Sequence, residues 1–210
     1  MRLDQFTASV SETPLVKHAH QTPWWITSRL TELTSDLFAE LGADYQQLSD
    51  GVLAHNSATI ESGAILKPPV ILGPNSFVAA TAYLRGGIYL GDGCIVGPAC
   101  ELKTVIMLAR SKIAHLSFVG DSIIGSRANI EAGAIIANYR NEMTDKRIRI
   151  AFKGTTLDTG VEKFGTMVGD DGKIGANAVI APGTLLPANS IIRRGQNIDQ
   201  FPDLLPDNQD

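Results

Sequence analysis

An apolar residue occupies every sixth position through the middle of the chain. The series is Ile60, Leu66, Leu72, Val78, Leu84, Leu90, Val96 and Leu102. A helix, with a period of 3.6 residues, does not keep one phase at every sixth position, and the series is far longer than a single strand. A six-residue period indicates a β-solenoid whose triangular coils take about 18 residues each. These aliphatic side chains are therefore predicted to fill the interior.

A second series stands four positions after the first and is predicted to occupy the tight corners of the coils. Its members are Ala64, Val70, Ser76, Ala82, Ile88, Cys94, Cys100 and Ile106. The repeat continues to Ile136 after two steps of five residues, which follow Leu102 and Val119, and it resumes from Val168 to Ile192. The five-residue steps suggest coils bent for a purpose, and a meaningless register error is an equal alternative.

The repeat divides the chain into three predicted regions. Residues 1–50 form an N-terminal arm, extended over 1–23, and a helix over 28–41 that caps the open end of the solenoid. Residues 51–195 form the β-helix, with an external loop at 140–165 where the six-residue period is lost. Residues 196–210 form an acidic tail that is loose at its end.

Composition narrows the classes of function. The 210 residues suffice for one domain with its own core, and a net charge of −4 with 19% charged residues does not indicate a nucleic-acid partner. No apolar run approaches the roughly 20 residues that span a membrane. The N-terminus lacks the apolar stretch of a signal peptide, so a cytoplasmic protein without membrane contact is predicted. Cys94 and Cys100 both fall at inward corners, where they are interpreted as small core residues rather than a disulfide or metal pair.

Two cations are spaced to meet on the surface of the solenoid. Arg85 and Lys103 both follow inward aliphatics and are 18 residues apart, so they should stack one strand spacing apart, about 4.8 Å. Like charges that close repel unless an anion lies between them, which favours a ligand with a phosphate group. The alternative is a solvated pair of surface cations.

His115 is the second candidate for chemistry. A neutral imidazole is the usual general base near pH 7, although a lone histidine is more often structural. Asp121 and Asn129 are close enough in sequence to orient it or a substrate. A zinc enzyme is disfavoured because only His55 and His115 lie in the wall, and their separation of 60 residues does not match ligand spacing; no metal is predicted.

The segment HLSFVGDSIIGSRANIEAGAIIANY at 115–139, with Arg85 and Lys103 upstream, resembles the left-handed β-helix acyltransferases. Within them it is similar to the acetyltransferase domain of the bifunctional bacterial enzymes that make UDP-N-acetylglucosamine, over about residues 52–190. The resemblance implies a left-handed parallel β-helix and a homotrimer with sites between subunits. It also implies acetyl-CoA as co-substrate, without a tightly bound cofactor.

The resemblance also implies roles for individual residues. His115 is the catalytic base, and the Ala132 backbone N–H serves the oxyanion. Cofactor contact is assigned to Ala181. The substrate-binding set is Arg85 and Lys103 for the phosphate, with Asn129, Asn138, Tyr139, Phe118 and, from the KFGT motif, Lys163.

Departures from the family keep two functions open. Phe118 replaces a tyrosine, Glu131 replaces a glycine beside the expected thioester, and an insertion at 140–162 follows Tyr139 directly. Arg193 and Arg194 have no secure match to the family's CoA-binding arginine. The first function is acyl transfer from acetyl-CoA to an amino-sugar phosphate or nucleotide sugar. The alternative is a non-catalytic module that binds such a ligand and works with a nucleotidyltransferase.

The homotrimer has its own support in the residues. A flat wall with outward apolar side chains usually marks a contact between subunits. The outward apolar residues expected on this wall are Ile65, Ile71, Phe77, Tyr83 and Tyr89.

Overall fold

The computed structural model of the protein describes residues 1–152 and 154–201. The helices in this part of the chain are the 3₁₀-helices Leu3–Gln5, Ala8–Glu12, Pro14–His18 and Phe38–Glu40 and the α-helices Pro23–Ser28 (α1) and Leu30–Leu37 (α2). The strands are Tyr45–Ser49 (β1), Val52–His55 (β2), Thr59–Ile60 (β3), Ile65–Leu66 (β4), Val70–Leu72 (β5), Phe77–Val78 (β6), Tyr83–Leu90 (β7), Ile95–Val96 (β8), Glu101–Met107 (β9), Lys112–Ile113 (β10), Phe118–Ile124 (β11), Asn129–Ile130 (β12), Ile135–Ile136 (β13), Arg149–Phe152 (β14), Thr155–Asp158 (β15), Thr166–Val168 (β16), Lys173–Ile174 (β17), Val179–Ile180 (β18), Thr184–Leu186 (β19), Ile191–Ile192 (β20) and Asn197–Ile198 (β21).

Most of these strands form the three sides of a parallel solenoid. The first side contains β2, β5, β16, β19 and the second halves of β7, β9 and β11. The second side is a seven-stranded sheet of β3, β6, β8, β10, β12, β17 and β20. The third side contains β4, β13, β18, β21 and the first halves of β7, β9 and β11. The predicted fold class, a left-handed parallel β-helix, is confirmed.

The interior is a column of aliphatic side chains contributed by successive coils. All eight residues of the first predicted series belong to it, and only Ile60 and Leu66, in the first coil, are partly exposed. Both cysteines are buried in this column as free thiols, as predicted, and burial raises the pKa of each. Because neighbouring coils hydrogen-bond in register, equivalent aliphatics stack directly on one another.

The prediction for Ile106 is wrong. Its side chain lies on the outside of the first side, and Val105 occupies the interior in its place. The reason is the five-residue step from Leu102 to Met107, which moves the inward corner position one residue earlier. A side-chain period of two then turns the neighbouring residue outward.

The five-residue steps are sharp corners between the third and first sides. Gly86 and Gly87 of β7 lie opposite Thr104 alone, because the β7–β9 register shifts between Arg85 and Ile88. Thr104 and Asp121 turn the corner at φ 59° and 42°. Each five-residue step is therefore a corner made by one residue with positive φ, which presents a polar side chain. This favours coils bent for a purpose over a meaningless register error.

The N-terminal region covers the first side of the solenoid. Helix was predicted over 28–41 as an end cap, whereas α1 and α2 contact β7, β9 and β11 on the wall. The expected extended arm over 1–23 contains three 3₁₀-helices. The physical reason is that the outward residues of the first side are apolar and contiguous across coils. They are buried with the helices in a second cluster that includes Ile71, Tyr89, Ile106, Ile123, Met167 and Leu185.

The N-terminal region buries part of the apolar wall that was expected to contact other subunits. Ile71 and Tyr89 are buried beneath the N-terminal region of the same chain, so they do not form a free wall. Ile65 is exposed, and Phe77 and Tyr83 are partly exposed. These three residues lie on the second and third sides, which leaves those sides for contacts with other chains.

The insertion after Tyr139 is packed against the same surface. It was expected to be an external loop, but β14 and β15 form an antiparallel hairpin, and Ile148, Ile150 and Phe164 are buried in the second cluster. The apolar residues among its cations account for this packing.

The C-terminal coil extends beyond the predicted boundary at 195, because β21 pairs with β18 on the third side. Residues 202–210 of the predicted tail lie outside the described residues. Within the described ranges, none of the helices has the length and apolar character needed to cross a bilayer.

The buried cover predicts a measurable stability difference between two isoleucines. Ile106 is fully buried under the N-terminal region, so Ile106→Ala should lower the free energy of unfolding by about 2–5 kcal/mol. Ile191 also faces outward but is 69% exposed, so Ile191→Ala should change it by no more than about 0.5 kcal/mol. Urea titrations followed by circular dichroism measure both, and equal losses would contradict the placement of the cover.

Candidate functional site

A shallow cleft of about 440 Å³ lies at the corner between the third and first sides. We call it the corner cleft, and it is lined by Arg85, Lys103, Phe118, Asn138, Tyr139, Glu162 and Lys163. Six of these seven are residues that the sequence assigned to substrate binding. Arg85 and Lys103 are register partners on β7 and β9, which confirms their predicted stacking.

Each of the two cations has its own carboxylate partner. Arg85 donates from Nε and Nη2 to Glu101 Oε1, at 2.8 and 2.6 Å. Lys103 Nζ lies 2.7 Å from Asp121 Oδ2, and its side chain is only 18% exposed. The expected repulsion between the cations is therefore balanced within the protein, and Lys103 is not a solvated surface cation. Arg85 and Lys103 are therefore two hydrogen-bond donors whose orientations are fixed by carboxylates at the edge of the cleft.

Asp121 organises the floor of the cleft. It is 5% exposed and accepts hydrogen bonds from both Lys103 Nζ and Asn138 Nδ2. Asn138 reaches it by lying over Gly120, where an added Cβ would stand 2.6 Å from Asn138 Cγ. Asp121 was expected to orient His115 or a substrate, but its carboxylate fixes two of the substrate-binding candidates, Lys103 and Asn138. The available signal was the five-residue step from Val119 to Ile124, which contains Asp121.

The insertion and the N-terminal region complete one wall of the cleft. Glu162 and Lys163 enter it because the next residue, Phe164, is buried and packs edge-on against Trp24 with ring centroids 6.0 Å apart. A continuation of the cleft is lined by Thr27, Ser28, Thr31, Thr104, Asp121, Val161, Glu162 and Lys163. The sequence did not predict a place at this site for Glu101, Glu162 or the hydroxyls of Thr27, Ser28 and Thr31. Nothing in the six-residue repeat predicts which wall the N-terminal helices cover.

α2 approaches the cleft closely because Gly87 has no side chain. Gly87 has φ +91°, and an added Cβ would stand 2.8 Å from the Thr31 nitrogen. Thr31 Oγ1 donates to the Gly86 carbonyl at 3.1 Å. The helix and the corner of the solenoid are therefore fixed to each other beside the two cations.

His115 and Ala132 lie on the opposite edge of the third side, at its corner with the second side. His115 is exposed, and its carbonyl accepts a hydrogen bond from the Gly133 N–H at 2.9 Å. The Ala132 N–H makes no hydrogen bond among the described residues. Within one chain, neither residue lines the corner cleft, so the structure separates the predicted base from the predicted phosphate cations.

Asn129 belongs to a larger groove, of about 740 Å³, on the second side. We call it the second-side groove; its polar lining comes from Asn129, Glu131, Lys173, Arg193 and Arg194. Glu131 accepts from Arg194 Nε and Nη2, both at 2.7 Å, and from the Ala176 N–H at 2.9 Å. The Arg194 hydrogen bond is the main cause that lowers the pKa of Glu131. The carboxylate is therefore neutralised by a neighbouring cation.

Ala181 stands apart from both lined spaces. It follows β18 on the third side, where its N–H donates to the Ile198 carbonyl at 2.8 Å. Its assignment to cofactor contact stays a prediction. The described residues contain no group of three or more His, Cys, Asp or Glu side chains arranged to hold a metal ion.

The fold and the corner cleft define a hexapeptide-repeat β-helix with a polar site on its outer surface. Residues 78–198 match the family described as the GMPPB C-terminal domain, and the chain belongs to that family.

Two bifunctional relatives are longer proteins than this chain. The chain is 40% identical over 100 residues to the bifunctional protein GlmU of Methanococcus vannielii, an alignment covering 48% of this chain and 23% of the relative. It is 35% identical over 100 residues to a bifunctional sugar-1-phosphate nucleotidylyltransferase/acetyltransferase of Sulfurisphaera tokodaii, covering 48% of this chain and 24% of the relative. The matched part is thus about a quarter of each relative.

A solved structure has a similar architecture. It is the acetyltransferase domain of PglB from Neisseria gonorrhoeae, at 18% identity and a TM-score of 0.42, with 80% of this chain and 63% of that chain covered.

The role of Asp121 predicts a contrast between two aspartates. Asp121→Asn removes the charge that holds Lys103 and should lower the free energy of unfolding by about 1.5–3 kcal/mol. Asp171→Asn breaks the exposed pair with Arg127, at 2.6 Å, and should cause a clearly smaller loss, because solvent screens this pair. Chemical denaturation of both variants tests this, and a loss in Asp121→Asn no larger than in Asp171→Asn would show that the buried pair does not hold the cleft.

Proposed function

We propose that the protein is an acyltransferase that moves an acetyl group from acetyl-CoA to an amino-sugar phosphate or nucleotide sugar. The observation that carries the proposal is the corner cleft, where the fold brings together six predicted substrate-binding residues. The bifunctional relative whose name includes an acetyltransferase supports the class of reaction. A cytoplasmic location, where acetyl-CoA is available, belongs to the same proposal.

The corner cleft suits a sugar that carries a phosphate. Arg85 and Lys103 present charged donors side by side, which is the arrangement that binds phosphate oxygens well. Phe118 and Tyr139 supply apolar ring surface beside them, and Asn138 supplies an amide held by Asp121. The charged groups anchor the ligand, and the rings and amide orient the sugar.

His115 and Ala132 supply the chemistry in this proposal. His115 takes a proton from the acceptor amine or hydroxyl, directly or through a water molecule. The acceptor atom attacks the thioester carbonyl, and the free Ala132 N–H donates to the oxygen that becomes negative. The carbon–sulfur bond then breaks, and the CoA thiolate leaves and takes up a proton.

A homotrimer would reunite the two halves of the site. The third side lies between the His115 edge and the corner cleft. One ladder of register partners on it contains the exposed apolar residues Ile65, Ile135 and Val179, with Tyr83, Glu101 and Phe118 between the first two, and Leu116 is exposed at the corner. Because the N-terminal region occupies the first side, this ladder is free to pack against another copy. In the proposed trimer, His115 of one subunit faces the corner cleft of the next.

A non-catalytic binding module is the second candidate. It is favoured by the Glu131–Arg194 pair beside Ala132 and by Phe118, which lacks a hydroxyl for the sugar. A module that only binds a sugar phosphate has no need for acetyl-CoA. Isothermal titration with acetyl-CoA separates the two candidates, because only the transferase should bind it.

The proposed roles predict different kinetic effects for three variants. His115→Ala should lower the rate of acetyl transfer roughly 10²- to 10⁴-fold and leave sugar-phosphate affinity nearly unchanged. Arg85→Ala and Lys103→Ala should each weaken that affinity by about 1.5–3 kcal/mol, through loss of a charged hydrogen bond. His55→Ala, at the other wall histidine, serves as the control and should leave both quantities unchanged. Full activity in His115→Ala would remove the proposed base.

A subunit-mixing experiment tests the shared site. Activity is measured at a sugar-phosphate concentration well below the KM of the wild type, where both His115→Ala and Lys103→Ala are expected to have little activity. The two variant chains are unfolded together in equal amounts and refolded into mixed trimers. If each site takes His115 and Lys103 from different subunits, about one quarter of the sites regain both residues, and activity returns to about that fraction. Activity that stays at the level of the separate variants would place both residues of a site in one subunit.

A further inference from the structure

The corner cleft continues past its two phosphate-binding candidates into a second space of about 390 Å³. We call it the helix-side extension, because Thr27 and Ser28 of α1 and Thr31 of α2 form one of its walls. Glu162 and Lys163 line both spaces, which are therefore continuous. The volume is within the range of about 300–1,000 Å³ that small-molecule sites occupy.

The floor of the helix-side extension is formed by the two five-residue corners. Thr104 of β9 and Asp121 of β11 both line it. They lie opposite each other, because the residues on either side of them are register partners. The two side chains are therefore one strand spacing apart, about 4.8 Å, and a hydroxyl and a carboxylate from successive coils meet in the same space.

Each of these two residues has a polar atom without a partner. Asp121 uses Oδ2 for Lys103 and Asn138, and its Oδ1 accepts no hydrogen bond from the described residues. Thr104 Oγ1 likewise makes no hydrogen bond within the described ranges. The residues are only 5% and 8% exposed, respectively. Neither atom is enclosed, however, because in the described part of the chain Ser126 Oγ is the one enclosed side-chain atom that lacks a partner. Both atoms are thus open to a ligand in the space that the two residues line.

The wall from the N-terminal helices adds hydroxyl oxygens that can accept hydrogen bonds. Ser28 Oγ donates to the Trp25 carbonyl at 2.9 Å, and Thr31 Oγ1 donates to the Gly86 carbonyl at 3.1 Å. Each hydroxyl has only one proton, so its lone pairs remain available to a donor on a ligand. Among the described residues that line the extension, only Val161 is apolar. The extension therefore suits a group rich in hydroxyls and disfavours an apolar one.

The order of the spaces indicates which end of an acceptor reaches the extension. In the proposed trimer, His115 of a neighbouring subunit approaches from the third side, so the reacting atom of the acceptor lies there. Arg85 and Lys103 bind the phosphate at the corner. The extension lies beyond them, beneath the helices that cover the first side. A sugar 1-phosphate ends at its phosphate and leaves the extension empty, whereas a nucleoside diphosphate sugar has a ribose beyond its phosphates.

We propose that the acceptor is a nucleoside diphosphate sugar and that the helix-side extension is its ribose subsite. The neighbouring hydroxyls of the ribose pair with Asp121 Oδ1 and Thr104 Oγ1. A carboxylate that accepts from a ribose hydroxyl is also how dinucleotide-binding folds recognise ribose. The direction of the acceptor rests on the proposed function, whereas binding of the ribose can be measured without acetyl transfer.

The two residues at the junction of the spaces complete the subsite. Neither Lys163 nor Glu162 has an ion-pair partner among the described residues. Lys163 donates to the second phosphate, and Glu162 accepts from a further hydroxyl of the ligand. Glu162 is exposed, so solvent screens its repulsion of the phosphates.

Isothermal titration of the wild type without acetyl-CoA tests the ribose contacts. UDP-glucose should bind at least tenfold more tightly than glucose 1-phosphate, because only UDP-glucose reaches the extension. 2′-Deoxy-UDP-glucose, which lacks one ribose hydroxyl, should bind roughly two- to tenfold more weakly than UDP-glucose, through loss of one hydrogen bond. Equal affinity within either pair of ligands would overturn the proposal.

Thr104→Val removes one hydroxyl of the subsite and keeps the shape of the side chain. It should weaken UDP-glucose binding roughly two- to tenfold and leave the affinity for glucose 1-phosphate unchanged. The melting temperature should be unchanged or higher, because Thr104 Oγ1 has no partner among the described residues. Thr59→Val, at an exposed threonine on the second side, is the matched control and should leave both affinities unchanged. Unchanged UDP-glucose affinity in Thr104→Val, or an equal loss for glucose 1-phosphate, would overturn the ribose subsite.

The titrations separate the ribose subsite from acetyl transfer. A protein that acetylates glucosamine 1-phosphate but has no preference for UDP-glucose would overturn the subsite and keep the acyltransferase. A protein that meets every binding expectation but neither binds acetyl-CoA nor transfers its acetyl group would keep the subsite and overturn the acyltransferase.

Discussion

The register between successive coils is the constraint on which the rest of the structure depends. Each coil hydrogen-bonds to the next in parallel, so residues 17 or 18 positions apart in sequence become neighbours about 4.8 Å apart. The same register stacks the interior aliphatics and places Lys103 beside Arg85. An outward side chain on the third side therefore finds its partners in the preceding and the following coil. The corner cleft is accordingly formed by residues of successive coils along the axis of the solenoid.

A solenoid of this kind exposes three walls, and among the described residues the chain's own helices and insertion cover the first of them. The first side carries apolar residues across several coils, and the N-terminal helices and the insertion bury them. This packing holds Phe164 against Trp24 and so places Lys163 in the corner cleft. The cover that stabilises the fold thus also shapes the site. It leaves the second and third sides uncovered by the described residues, and Ile135 and Val179 are exposed on the third.

The six-residue period predicted the interior and the stacking of Arg85 on Lys103, because both follow from periodicity alone. It did not predict where the helices pack, since an amphipathic pattern identifies an apolar face but not the surface that will bury it. The carboxylates Glu101 and Asp121 were not predicted as partners of the two cations, because such pairing depends on side-chain reach across coils. The linear motif does not show that its residues lie at two edges of the third side, although the resemblance implied sites between subunits.

The five-residue steps show how a departure from the repeat produces a site. In the coil with a six-residue step, the corner holds Gly86 and Gly87, which offer no side chains. In the next two coils the shortened corner holds a single residue at positive φ, Thr104 and then Asp121. A six-residue step would have placed two residues at this corner, as in β7. Losing one residue per corner instead puts a carboxylate under Lys103 and Asn138, and this local irregularity turns a stack of two cations into an ordered binding surface.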